Sequence, residues 1–180
     1  MSKVDDLIQR VQEARHRFIQ NISKLNHEQA LFKTAPDKWS ILENIEHIVW
    51  AEKIGICKMW MAVEDFKKNP IVWANPPIHD GLSIETIIEK TWQPKEQAPE
   101  IAKPHWGGTL DFWIAALQAN QPVLETLGKM LIGLNLEQII YPHPISGPMN
   151  VVQRLDFLIF HLDRHRQQID SIKQHRDFPI

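Results

Sequence analysis

Apolar residues recur at spacings of three and four along four long stretches of the chain, which is the pattern of amphipathic helices. The predicted helices span residues 3–25, 41–64, 109–131 and 151–173. Ser40, with Glu43 three residues later, has the pattern of a capping box for the second helix, and Asn150 can cap the fourth. No segment has a convincing strand pattern. The sequence therefore predicts an all-α fold, a four-helix bundle with a long crossover between the second and third helices.

The crossover covers residues 69–108, and six of the twelve prolines lie in it, so it cannot form one long helix. A short helix is predicted within residues 82–92, with Ser83 as its cap. Pro122 is expected to kink the third helix, because it donates no backbone hydrogen bond and clashes with the Gln118 carbonyl. The sequence YPHPISGPMN at 141–150 is expected to be a turn-rich link.

Composition limits the classes of function. A chain of 180 residues is long enough for one domain with a sizeable core, so we expect a single domain over residues 1–180. A net charge of −2 with no basic block argues against nucleic acid as a partner. No apolar run approaches the ~18 residues of a membrane span, and the N-terminus has no signal sequence. One cysteine, Cys57, expected to be a small buried apolar residue, suits a reducing cytoplasm. We therefore expect a cytoplasmic protein that acts on a small-molecule substrate.

Three of the nine histidines lie at or beside apolar seams of the predicted bundle. His161 and His165 are four residues apart on the last helix and therefore point to the same side, one turn apart. His47 lies on a seam of the second helix. Three buried imidazoles each need a hydrogen-bond partner, and one divalent metal would satisfy all three. The alternative is that they are ordinary histidines at the helix borders with partners within the protein.

Other residues are weaker candidates for a site. Glu43 lies one turn before His47 and could orient a ligand or act as a catalytic base, or it could only complete the capping box. His105 and His143 lie in proline- and glycine-rich loops and are candidates for lining a pocket. His27 lies away from the apolar stripe of the first helix and is expected to be exposed to solvent.

Two stretches resemble a known family. DKWSILENIEHIVWAE (37–52) resembles the start of the second helix of the DinB-like (DinB/YfiT) superfamily, and HPISGPMNVVQRLDFLIFHLDRHRQQI (143–169) resembles its last helix. The resemblance implies a four-helix bundle with a divalent metal held by His47, His161 and His165. Zinc, nickel and iron all occur in that superfamily, and dimers are common. Its characterised enzymes are thiol-dependent: some transfer a low-molecular-weight thiol to electrophiles, and others isomerise maleylpyruvate.

Three hypotheses for function follow. Three neutral ligands leave the charge of the metal uncompensated and a coordination position open, which is typical of catalytic sites. The first hypothesis is a metal-dependent transferase that uses a low-molecular-weight thiol as its nucleophile. The second is a metal-dependent hydrolase in which the same site activates water. The third is a non-catalytic metal- or ligand-binding stress protein. A homodimer is expected from the resemblance.

Overall fold

The structure is a computed structural model, and it describes residues 3–70, 78–92 and 98–180. These residues contain helices α1 Lys3–Ile22, α2 His27–Leu31, α3 Ile41–Lys68, α4 Ile84–Thr91, α5 Leu110–Gln118, α6 Asn120–Leu131 and α7 Val151–Lys173. A 3₁₀ helix, Glu100–Ala102, precedes α5, and two short strands, β1 Ile140–His143 and β2 Gly147–Asn150, precede α7. The prediction of an all-α fold is confirmed, with the addition of this hairpin.

The long helices pack around a shared core. Helix α1 contacts α7, α5 and α6, and α3 contacts the same three helices. Buried apolar side chains form one cluster around Phe18 and Ile45 and a second around Val11 and Ile56. Gly128 allows α6 to lie close to α1, because a Cβ atom at this position would overlap the side chain of Ile8. None of the helices in the described residues is both long enough and apolar enough to cross a membrane.

The two helices that carry the candidate ligands begin at capping boxes, as the sequence predicts for α3. Ser40 Oγ accepts a hydrogen bond from the Glu43 N–H at 3.1 Å, and the Glu43 carboxylate accepts one from the Ser40 N–H at 2.7 Å. Asn150 and Gln153 make the same reciprocal pair at the start of α7, at 2.9 and 3.1 Å. These bonds satisfy N–H groups that lack partners at a helix start, and they fix where each helix begins.

The third predicted helix, 109–131, is two helices in the structure. The break lies at Ala119, between α5 and α6, and Pro122 lies in the first turn of α6. Proline is tolerated in a first turn because the N–H groups there have no helical partner. The predicted kink is therefore an interruption of the helix at Ala119, one turn before the proline. Ala119 itself keeps a right-handed helical conformation (φ −64°, ψ −14°), and its N–H donates to the Ala115 carbonyl. The first predicted helix is also shorter than expected and ends at Ile22.

The predicted link at 141–150 contains the hairpin, which sequence analysis missed. Pro142 pairs with Pro148, and His143 pairs with Gly147. A two-stranded sheet has only edge strands, so prolines fit where they would disrupt a central strand. Gly147 has a φ of +74°, which a three-residue hairpin loop requires and glycine adopts without strain. The hairpin places His143 in a strand, beside the N-terminal part of α7.

Only part of the predicted crossover at 69–108 falls within the described residues. The short helix predicted within 82–92 is confirmed as α4, with the Ser83 hydroxyl accepting a hydrogen bond from the Thr86 N–H at 3.3 Å. The 3₁₀ helix Glu100–Ala102 packs against α3. Residues 103–109 then lead directly to α5. The crossover thus contributes backbone close to the candidate ligand on α3.

Candidate metal centre

His47, His161 and His165 meet at one point in the interior, between α3 and α7. The Nε2 atom of His161 lies 3.2 Å from the Nε2 atom of His47 and 3.2 Å from that of His165. Each side chain is at most 7% exposed. Three nitrogens bound tetrahedrally to one zinc ion at ~2.1 Å would lie about 3.4 Å apart. The spacing of the rings is therefore close to that of a three-histidine metal site.

Neighbouring groups fix the tautomers of two of these rings. His47 Nδ1 donates to the Ala102 carbonyl at 2.7 Å, and His165 Nδ1 donates to the Asn44 side-chain oxygen at 2.8 Å. The amide of Asn44 is oriented because its nitrogen donates to the Ser40 carbonyl at 2.8 Å. In a neutral imidazole, a proton on Nδ1 leaves a lone pair on Nε2. Both lone pairs therefore point at His161.

This arrangement fits a cation better than it fits hydrogen bonds. His161 Nε2 has at most one proton when the ring is neutral, and it faces the lone pairs of both His47 and His165. If the His161 Nε2 proton is donated to His47, the contact between His161 and His165 has no donor, and the reverse also holds. A divalent ion at the centre would accept all three lone pairs, while the Ala102 and Asn44 oxygens hold the two rings in orientation. The residues present thus match the chemistry of a metal site.

Burial also keeps the three rings in the metal-binding protonation state. Desolvation lowers the pKa of His47, and it lowers the pKa of His161 and His165 well below the usual value. The neighbouring imidazoles and the Arg164 guanidinium lower the pKa of His161 and His165 further, because positive charges repel. The rings are therefore neutral at pH 7, with no proton to displace before a metal binds.

Aromatic rings surround the cluster. The half-buried Trp39 indole lies 4.9 Å from the His47 ring and stacks at 6.5 Å on the His165 ring. Phe157 stacks on His161 at 5.4 Å, and its other contacts include His143 at 4.4 Å. These rings exclude water from the sides of the cluster and leave little polar surface around it. An apolar environment strengthens electrostatic interactions at the centre.

The sequence profile of one family covers most of the chain, with a match to the DinB superfamily over residues 10–169. The chain belongs to the DinB superfamily. The match includes all three histidines and the whole of α3 and α5–α7 except the last residues of α7. No curated protein and no solved structure matches the sequence.

In this DinB superfamily member, the cluster consists of His47, His161 and His165, the three residues that were predicted from the sequence as metal ligands. The weaker candidates lie in other surroundings. Glu43 sits in the capping box and also pairs with Lys33 Nζ at 2.7 Å, and its role as a catalytic base stays a prediction. His105 is exposed and stacks on Trp50 at 6.3 Å, and His27 is exposed as expected. The prediction of a buried Cys57 is wrong, since this thiol is exposed on the outer side of α3.

Sequence analysis missed the residues that support the histidines. Asn44 precedes His47 by three residues and is 2% exposed, so it shares the buried face of α3. A buried asparagine on the same face as a predicted ligand is a signal that could have identified it. The Ala102 carbonyl had no such signal, because a backbone atom from a distant loop leaves no mark in the side-chain pattern.

Glu46 was also missed, and it anchors the loop that follows the 3₁₀ helix. Its carboxylate is fully buried and accepts hydrogen bonds from the N–H groups of His105 and Trp106 at 2.7 and 2.8 Å and of Gly107 at 3.1 Å. Three backbone N–H groups thus satisfy both oxygens of this buried carboxylate. This contact holds the end of the crossover against α3, close to the Ala102 carbonyl that orients His47.

Proposed function

We propose that this protein is a metal-dependent enzyme that transfers a low-molecular-weight thiol to an electrophilic small molecule. The observation that carries the proposal is the meeting of the Nε2 atoms of three buried, neutral imidazoles, two of which have tautomers set by Ala102 and Asn44. Within the described residues, the cluster contains three histidines and neither a carboxylate nor a thiol. Three neutral ligands leave at least one coordination position for a small molecule, as in catalytic rather than structural sites.

His47, His161 and His165 would hold the metal, which we propose to be zinc or nickel, with iron as the third choice. A divalent ion there supplies Lewis acidity, which favours the ionised form of a thiol bound to it. Asn44 and the Ala102 carbonyl keep two of the ligand rings in position, and Phe157 shields the third from water. Trp39, half-buried beside two ligands, offers an apolar face to an electrophile.

The thiol must come from a separate molecule. Cys57 is the single cysteine of the chain and is ten residues beyond His47 on the same helix, or about 15 Å along its axis. Its thiol opens onto a groove on the outer side of α3, lined by residues that include Trp60, Met61 and Val123. None of the three histidines lines this groove.

The surrounding carboxylates favour a thiol over water as the nucleophile. In metal-dependent hydrolysis a carboxylate often accepts the proton of the metal-bound water, and the metal itself lowers the pKa of that water. Glu43 is hydrogen-bonded to Ser40 and Lys33, and Glu46 is hydrogen-bonded to three backbone N–H groups. Both carboxylates of α3 nearest to His47 are therefore already engaged. A free thiol has a pKa of about 8.5, far below that of water, so its ionisation at a metal depends less on such a base.

The test combines metal depletion with a series of thiols. Protein stripped of metal and protein reloaded with zinc or nickel would be assayed with low-molecular-weight thiols and 1-chloro-2,4-dinitrobenzene. We expect turnover that requires both metal and thiol and that rises with pH until the thiol is ionised, then levels off. His47→Ala should abolish turnover and keep the helical circular dichroism signal, and His27→Ala should have no effect.

Two outcomes would contradict this function. Turnover that is unchanged after complete metal removal would exclude the metal from the reaction. Metal binding with no transfer from any thiol would leave a metal-binding protein without this activity. A cytoplasmic location, which suits the single exposed Cys57, and a homodimer both stay predictions.

A further inference from the structure

Arg154, on the first turn of α7, is a buried cation that pairs with no carboxylate among residues 3–70, 78–92 and 98–180. The residue is 4% exposed, and among the described residues its Nε and Nη1 atoms have no hydrogen-bond partner. No ion pair within the described part of the chain includes it. The guanidinium instead faces two rings, at 4.8 Å from the centre of Tyr141 and 5.4 Å from that of Phe157. Contacts with ring faces only partly offset the cost of removing a charge from water.

The charge persists at neutral pH. Burial lowers the pKa of Arg154 to about 10, which still leaves the guanidinium protonated at pH 7. The interior therefore contains a positive charge with at least two N–H groups that point at no acceptor in the described part of the chain. Buried polar groups are nearly always hydrogen-bonded, so these donors indicate a missing anionic partner.

His143 supplies a second donor beside this arginine. Its Nδ1 atom accepts hydrogen bonds from the N–H groups of Ile145 at 3.2 Å and Ser146 at 3.1 Å. An atom that accepts from two donors has no proton of its own, so the proton of the neutral ring is on Nε2. The ring is 9% exposed, and its Nε2–H is a donor beside the guanidinium. The His143 ring and the Arg154 guanidinium lie close together because both contact the same Phe157 ring.

Phe157 connects these donors to the three-histidine cluster. Its ring centre lies 5.4 Å from the Arg154 guanidinium, 4.4 Å from the His143 ring and 5.4 Å from the His161 ring. Arg154 and His161 are seven residues apart on α7, which is two turns, or about 10 Å, on the same face. Arg154 and the three-histidine cluster thus lie two turns apart on the same buried face of α7.

We propose that Arg154 and His143 form an anion-binding subsite that holds the carboxylate of the small molecule whose thiol reaches the three-histidine cluster. One guanidinium and one neutral imidazole supply a single positive charge, which matches a carboxylate better than a dianionic phosphate. The Phe157 ring contacts both the guanidinium and His161 and spaces the subsite from the cluster, which selects a thiol whose carboxylate lies several bonds from its sulfur. This assignment of substrate class rests on the proposed thiol transfer, whereas the anion subsite itself does not.

The first arm of the test uses metal-free protein and no thiol. Hexanoate and its uncharged analogue hexanamide are added at equal concentration, and the Tm is measured. We expect hexanoate to raise the Tm of the wild type and hexanamide to leave it unchanged. Arg154→Met should remove the response to hexanoate. Arg10→Met removes a surface arginine that pairs with Asp156 at 3.4 Å, and it should keep the response. An equal response in wild type and Arg154→Met would overturn the subsite.

The second arm uses protein loaded with cobalt(II), whose sulfur-to-metal charge-transfer absorption reports thiol binding directly. We expect 6-mercaptohexanoate to bind about 10- to 100-fold more tightly than 6-mercaptohexanamide, as a hydrogen-bonded charge pair predicts. Arg154→Met should lower the affinity for the acid to that for the amide and leave the affinity for the amide unchanged. His143→Gln, a second variant in case the first does not fold, should reduce the preference for the acid. No preference for the acid in wild type would overturn the proposal.

The two arms separate this subsite from the proposed function. Failure to load cobalt would contradict the metal centre, and the metal-free arm would then decide the subsite alone. If cobalt loads and thiols bind, but binding depends neither on the carboxylate nor on Arg154, the subsite is contradicted. Such a result would not contradict the proposed thiol transfer.

Discussion

At the scale of single residues, the candidate centre depends on polar atoms that fix the orientation of the histidines. The three histidines could be predicted from sequence because spacing of four on one helix and a seam position on another place them on buried faces. Their partners could not all be predicted. The Asn44 oxygen and the Ala102 carbonyl acquire their roles only through the packing of α7 and the crossover against α3.

Asn44 should therefore influence metal affinity without touching the metal. Asn44→Ala removes the acceptor for His165 Nδ1, so we expect metal affinity to fall about 10- to 100-fold. Asn44→Asp keeps an acceptor in that place and should retain most of the affinity. Competition with a chromogenic chelator measures both. Equal affinities in wild type and Asn44→Ala would show that this hydrogen bond does not support the site.

Arg154 and Arg15 provide a matched pair for the cost of buried charge. No carboxylate among the described residues pairs with Arg154, so Arg154→Met should leave the free energy of unfolding unchanged or raise it by about 1 kcal/mol or more in metal-free protein. Arg15 is 3% exposed and pairs with the buried Glu52, so Arg15→Met should lower it by about 3–5 kcal/mol. Urea denaturation gives both values. A loss in Arg154→Met as large as that in Arg15→Met would show that Arg154 is structural.

At the scale of elements, caps and apolar periodicity predicted the helices that carry the site. The same signals predicted the connections between those helices less well. Helix α7 occupies the predicted span 151–173 because a cap and a periodic apolar face agree. The interruption between α5 and α6 was predicted as a kink at Pro122. A sequence pattern locates the proline, but it does not show where before the proline the helix is interrupted. The β1–β2 hairpin was missed because prolines mask a strand pattern that only a two-stranded sheet tolerates.

The cap of α3 provides a test of how local structure supports the centre. Ser40→Ala removes the acceptor for the Glu43 N–H, so we expect the free energy of unfolding to fall by about 1 kcal/mol. Asn26→Ala removes the equivalent bond from the five-residue helix α2, and it should cost less because a short exposed helix contributes little to the core. Chemical denaturation compares the two. A larger loss in Asn26→Ala would contradict this order.

At the scale of the whole molecule, four buried histidines make stability depend on pH. Burial lowers the pKa of His47, His143, His161 and His165, that of His143 to about 3. The folded protein therefore stays unprotonated at these positions while the unfolded chain binds protons below about pH 6.5. Since the unfolded state then binds more protons, the free energy of unfolding falls as the pH drops through this window.

Metal-free protein should accordingly lose stability as the pH falls below about 6.5, by up to about 1.4 kcal/mol per pH unit for each such histidine. Burial raises the pKa of Glu52 and Asp156, so these two carboxyl groups favour the folded state as the pH falls. The four histidines outnumber them, and we therefore expect a net loss of stability. His161→Gln should reduce the slope, and His16→Gln, at an exposed position, should not. Urea denaturation at a series of pH values from 7 to 5 measures this slope of the free energy of unfolding against pH. Stability that rises on acidification would contradict the neutral state of the cluster.

The central claim is that the three histidines bind one divalent metal, and metal stoichiometry tests it most directly. Protein purified without a histidine tag or chelating resin is loaded with zinc or nickel, desalted and measured by mass spectrometry of the metal. We expect about one ion per chain in wild type and in His27→Ala, and almost none in His47→Ala, His161→Ala or His165→Ala. A stoichiometry that is unchanged in these three variants would contradict the site.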